Sequence, residues 1–236
     1  MRPLLITLAL TLFCQPLWAD DPKTAAVNNL VDQVIQTYGG QEIWNNTQGI
    51  LQSGTIHSQR RGTSGQIVRG YQHPHRMRID IRYSASDTEL RQLDGELAWK
   101  DAKPASQPYM LATRLQAARL GAPQLLLENR ADVKDLGMIQ SGTNKGLHRI
   151  EIPLELGLKL ILEIDPQSGH ILHSRGLMTM GGQALEFSAS YEDFRMIEGH
   201  LVAFREHHYA MGGYIGYTQL DKVKFVSTFP NHSFHP

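Results

Sequence analysis

The sequence predicts a mainly β fold: one strongly curved antiparallel sheet of about eleven strands, a half-open β-barrel wrapped around a few helices. Three observations carry this. Residues 76–83 read Arg-Met-Arg-Ile-Asp-Ile-Arg-Tyr, charged and apolar in strict turn. Successive strand residues face opposite sides, so this segment is a ribbon that is polar on one face and apolar on the other. The same device recurs along the chain between Gly- and Pro-containing turns, with no strand–helix–strand alternation, so the sheet is antiparallel. That many strands in one sheet must curl, and the few helices then lie over the concave face.

The N-terminus has the order of a secretory signal peptide: Arg2, apolar residues 4–13, then Leu17-Trp18-Ala19 before Asp20. The apolar run, about ten residues, is short of the roughly 18 that suggest a membrane span. Phe13 stands before Cys14 where lipoprotein acylation takes a small residue. Cleavage after Ala19 removes the only cysteine of the 236 residues, leaving no disulfide and no thiol nucleophile. The expected organisation is residues 1–19 removed, 20–226 as a single domain, and 227–236 as a flexible polar tail. Lys and Arg total 23 against 23 Asp and Glu, which gives no electrostatic case for a nucleic-acid partner.

Val27, Leu30, Val31, Val34, Ile35 and Tyr38 lie on one helical stripe, with Thr24 placed to cap it and Gly39-Gly40 to end it. Ile43 and Trp44 sit on a second short turn. Strands are then expected at 49–58, 66–72, 76–83, 88–93 and 96–100, the last two joined at Asp94-Gly95, a favoured hairpin signal. A helix at 110–120 places Leu111, Leu115 and Ala118 on one face. Gly121 breaks it, and Pro123 opens a second helix carrying Leu125, Leu126 and Leu127. Six further strands follow, at 147–152, 158–165, 171–177, 184–191, 201–209 and 214–226, with Asp165-Pro166-Gln167-Ser168-Gly169 as a turn.

This order of local features resembles the periplasmic outer-membrane lipoprotein-sorting proteins, the superfamily of the lipoprotein carrier. The carrying residues are Tyr38-Gly39-Gly40, Trp44, Gly54, Tyr71 with Pro74-His75-Arg76-Met77-Arg78, and Leu93-Asp94-Gly95-Glu96-Leu97-Ala98-Trp99. Asp165-Pro166-Gln167-Ser168-Gly169 and Tyr191-Glu192-Asp193-Phe194-Arg195 with Gly199 complete them. The resemblance spans nearly the whole mature chain. It implies a periplasmic protein whose curved sheet encloses a hydrophobic cavity for acyl chains. On it rests the expectation of a non-enzymatic, monomeric carrier of lipid or lipoprotein acyl chains. The expected partners are those chains and an inner- or outer-membrane protein; no cofactor and no nucleic acid are implied. The alternative is an envelope sensor that binds a membrane protein through the same fold.

Large adaptable side chains suit apolar ligands. The cavity candidates are Met77, Ile79, Ile81 and Tyr83; Leu97 and Trp99; Met110, Leu111 and Leu115; Leu160 and Leu162; and Phe187, Phe204 and Tyr217. Each also fits an ordinary sealed core, and both readings stand at this level. Segment 110–129 is the expected lid. The histidine pairs His73/His75, His170/His173 and His207/His208 raise metal binding, but no metal-site motif accompanies them. Ser64 and Ser168 stand beside glycine without a nucleophile-elbow setting, and Asp94, Asp165 and Asp193 fall where turns want Asp. Arg76, Arg78 and Arg82 read as a solvated strand face, with docking of an anionic group as the other reading.

Overall fold

The helical stripe at the N-terminus folds as α1 (Pro22–Thr37) and buries Val27, Leu30, Val31, Val34, Ile35 and Tyr38. The computed structural model describes residues 22–230 and 233–236, so the expected signal segment and its cleavage site lie outside the described residues, as does the side chain of Thr24. After α2 (Gln41–Asn45) come β1 (Gly49–Ser58), β2 (Thr63–Gln72), β3 (Arg76–Arg82), β4 (Thr88–Asp94), β5 (Leu97–Lys100) and β6 (Lys103–Pro104). The helices α3 (Gln107–Leu120) and α4 (Ala122–Glu128) follow. The chain then forms β7 (Lys134–Met138), β8 (His148–Pro153), β9 (Lys159–Ile164), β10 (Ile171–Met180), β11 (Gln183–Ile197), β12 (His200–Ala210) and β13 (Gly213–Val226). Among the described residues no helix is long and apolar enough to cross a membrane.

The strands form one thirteen-stranded sheet in the order β6-β5-β4-β3-β2-β1-β13-β12-β11-β10-β9-β8-β7. Two meanders run outward from the central β1–β13 pair, and α3 and α4 carry the chain from one edge to the other. The edge strands β6 and β7 are not neighbours, so the sheet is open. The strand count exceeds the expected eleven because β6 and β7 carry no alternation. Helices α1 and α4 share a core with the concave face: Val31, Val34 and Leu126 pack with Met77, Ile79, Leu160, Leu162 and Ile164, all fully buried. Each such side chain contributes roughly 1.5–3 kcal/mol.

Strand β3 behaves as its alternation requires. Met77, Ile79 and Ile81 are buried on the concave side, and Arg76 and Arg82 are exposed on the other. Strand β5 does not present the residues expected of it. Leu93 pairs with Ala98 and Gln92 with Trp99, so the small Ala98 shares the concave face with Leu93. Leu97 and Trp99 fall on the convex face, where Leu97 is 63% exposed. Hairpin register, not side-chain size, decides the face.

Beyond Val226, in the segment whose composition reads as a flexible polar tail, Phe229 and Phe234 pack on the convex face. The Phe229 ring covers Gly49 and Gly70, two positions where a side chain would collide with it or crowd it. Phe234 is 2% exposed, with its ring centroid 5.0 Å from that of Phe229. His235 lies edge-on to Trp99 and its Nδ1 is 2.8 Å from the Asp94 carboxylate.

Candidate binding cleft

The helices fill only part of the concave face. A cleft of about 760 Å³ remains between α3, strands β1–β5 and strands β10–β13, within the roughly 300–1,000 Å³ of small-molecule sites. Ile67, Ile79 and Ile81 form one wall with Tyr83, and Met178, Leu185 and Phe187 form the opposite one. From α3 come Tyr109, Ala112, Gln116 and Arg119, spaced three or four apart and therefore on one helix face. Exposed Arg60, Lys100, Pro108 and Ile215 mark the mouth. A smaller void of about 80 Å³ lies against Trp44, Tyr191 and Phe225, and Arg119 borders both.

Of the residues singled out from sequence, Ile79, Ile81, Tyr83 and Phe187 line the cleft and Leu162 lines the smaller void. Met77, Leu115 and Leu160 are fully buried in packed core. Met110, Leu111 and Leu115 belong to a cluster with Leu158 and Met178, and Leu115 sits directly on Gly176 of β10. The apolar face of α3 is thus bound to β9 and β10, and its polar face borders the cleft. Phe204 is buried beneath the Arg195 guanidinium, 4.3 Å above its ring. Tyr217 stacks on His57 with Arg205 over its ring. Neither Phe204 nor Tyr217 lines the cleft, nor do Leu97 and Trp99.

The polar residues that do line it went unread. In register across the sheet, Gln52, Arg69, Ile79, Arg91 and Lys100 form a single row on the concave face. Arg69 is 3% exposed; it donates to the Gln52 amide oxygen and forms a two-pronged pair with Glu206 of β12, one prong at 2.9 Å. Burial pushes the Glu206 carboxyl up, but the charge and hydrogen bonds of Arg69 outweigh this and hold it below the usual carboxylate range. Arg91 donates to Glu89 at 2.7 Å and to Gln116 of α3 at 3.2 Å. Part of this is in the pattern: Arg69 is in phase with buried Ile67 and Tyr71, the apolar phase of its strand, whereas β4 has one leucine in each phase, Leu90 and Leu93, and gives no such signal for Arg91.

His208 lies beside this row, 2.9 Å from the Thr218 hydroxyl and 4.0 Å from Glu206. Its pKa is pushed down to about 4, chiefly by burial; Arg119, Arg69 and Arg91 add to this and Glu206 opposes it. An unfolded histidine titrates near 6.5, so the unfolded chain takes the proton first as pH falls. The contribution of His208 is therefore complete above about pH 6.5 and is lost on acidification toward pH 4. Between pH 7.5 and 5.0 the wild type is expected to lose about 2 kcal/mol through this residue. Urea unfolding of wild type and His208→Gln at both pH values checks it: the variant should show a smaller loss, and equal losses would contradict the assignment.

Other histidines among the described residues make fold contacts. His73 bridges to Glu128 of α4 at 2.6 Å, and His75 lies 3.7 Å from Glu155. His170 packs on Phe194, and His207, on the face opposite His208, lies near Tyr214 and Tyr217. Among the described residues no three His, Cys, Asp or Glu side chains are grouped to hold a metal ion.

No family model matches the sequence, and no curated protein matches it. Solved structures do share its fold. A LolA superfamily protein from Nitrosomonas europaea superposes with a TM-score of 0.58 at 11% identity, over 89% of this chain and 97% of that one. A domain described as an outer membrane lipoprotein-sorting protein from Vibrio parahaemolyticus gives 0.53 at 9% identity, over 89% and 97%. At these identities the likeness is one of fold, and it is the open, helix-lined β structure expected from the resemblance.

Proposed function

We propose that this protein is a periplasmic carrier that holds a lipid or the acyl chains of a lipoprotein in the 760 Å³ cleft. The carrying observation is that apolar-walled cleft, left on the concave face of a sheet whose helices cover only part of it. The lipoprotein-sorting description of a structure with the same fold supports the reading, and so does the signal-peptide order of the first residues. Binding is passive and makes no covalent bond. Burying ten methylenes is worth about 8 kcal/mol gross, and association costs roughly 4–15 kcal/mol. That cost offsets much of the gain, so the ligand can be handed on to a membrane partner with a better-fitting cavity. Because the apolar face of α3 is packed on β9 and β10, α3 serves as a fixed wall and not as the displaced lid that its sequence suggests.

Organic extraction of the purified protein, followed by mass spectrometry, should yield a copurifying lipid, and a fluorescent fatty-acid probe should bind and be displaced by lipids. An empty extract together with no probe binding would overturn the reading.

A further inference from the structure

The inner end of the cleft carries one cation more than the protein neutralises. The row Gln52, Arg69, Ile79 and Arg91 marks that end and runs out to Lys100 at the rim. On its mouth side Ile67 and Ile81 line the cleft, and on its far side Tyr71, Met77 and Leu93 are sealed in the core. Two of its arginines are matched, Arg69 by Glu206 and Arg91 by Glu89. Lys100 is exposed at the rim, and His208 is neutral at pH 7. Arg119 is left over. It borders both the cleft and the smaller void and has no hydrogen bond or ion pair among the described residues. Its charge reaches Glu206 and His208 without a bond to either. A helix C-terminus suits an arginine, but that preference is met equally by one turned to water, and this one is turned to the cavity. On the same α3 face the Tyr109 hydroxyl is also buried and has no partner among the described residues.

We infer that the cleft takes a single-tailed amphiphile with a monoanionic head, head first, its carboxylate on Arg119 and its tail running outward between Ile81 and Phe187. This rests on the carrier reading and narrows it. A guanidinium fork matches a carboxylate with two parallel hydrogen bonds. One unmatched cation calls for one negative charge; a neutral head leaves Arg119 unpaired, and a dianion brings an uncompensated charge into the cleft. From Arg119 to Pro108 at the mouth, α3 rises about 16 Å, a path that takes most of an extended acyl chain and leaves its end at the mouth.

The test compares oleate with oleyl alcohol, which has the same tail and a neutral head, by displacement of the fluorescent probe from wild type and Arg119→Gln. Wild type should bind oleate at least tenfold more tightly than the alcohol. Arg119→Gln should bind both as wild type binds the alcohol, which also shows that the variant is folded. Millimolar acetate should displace neither. Equal binding of the two amphiphiles to wild type, a preference that survives in Arg119→Gln, or displacement of oleate by acetate would each overturn the head-first reading while leaving the carrier reading intact. Binding of neither amphiphile to wild type would overturn both.

Discussion

Arg69→Met is expected to destabilise the protein by about 3–5 kcal/mol, the cost of removing one partner from a buried ion pair. Arg69 stands on β2 and Glu206 on β12, with β1 and β13 between them, so their pair ties four strands across the concave face. Glu206 is 8% exposed and Arg69 is its direct ionic partner. Without the guanidinium, that carboxylate stays in a poorly solvated site or takes up a proton, and the Gln52 amide oxygen loses its donor. The double variant Arg69→Met/Glu206→Leu should recover more than half of the loss, because no unmatched charge remains and both new side chains are apolar. Urea unfolding at pH 7.5 measures all three. A loss under 1 kcal/mol for Arg69→Met, or a double variant no better than the single, would show that the pair does not hold the sheet.

The same pair shows where sequence reading succeeds and where it stops. Period and phase are legible wherever burial is decided by one element: the stripe from Val27 to Tyr38 and the alternation of Met77, Ile79 and Ile81. The hairpin at Gly95 is legible as a turn but not in its register, because Asp94 pairs with Leu97 and this turns Leu97 and Trp99 to the convex face. Strand β6 has two residues, and β7, with exposed Leu136 and Met138 around Gly137, has no buried face to impose a pattern. The site is less legible because a charged side chain reads by type as solvated. Arg69 is a charge in an apolar phase, and phase outranks type when a cross-sheet carboxylate such as Glu206 is available. Helix α3 is legible in its apolar stripe but not in the surface that stripe packs against. Its leucines were correctly placed on one face, but two apolar surfaces competed for that face, the cleft and β9–β10, and only the structure shows that Gly176 gives Leu115 a seat on β10.

That choice makes α3 a wall that can be altered without loosening it. Ala112→Trp is expected to reduce fatty-acid probe binding at least tenfold while changing stability by less than about 1 kcal/mol, mainly through the lower helix propensity of Trp. Ala112 lies one turn from Tyr109 and from Gln116 on the cleft-facing side, opposite Ile81 and Phe187 along the proposed tail path. An indole there projects into the cleft, where no packed neighbours must move, so the usual overpacking cost of about 1–3 kcal/mol does not arise. The matching control is Ala118→Trp. Ala118 is 7% exposed and belongs to the packed core, so the same enlargement should destabilise the protein by that amount. Denaturant unfolding separates the two variants by stability, and probe titration reads their binding. If Ala112→Trp bound the probe with wild-type affinity, the ligand path would have to lie away from α3. The walls built by Ile81 and Phe187 would then be core that happens to border a gap.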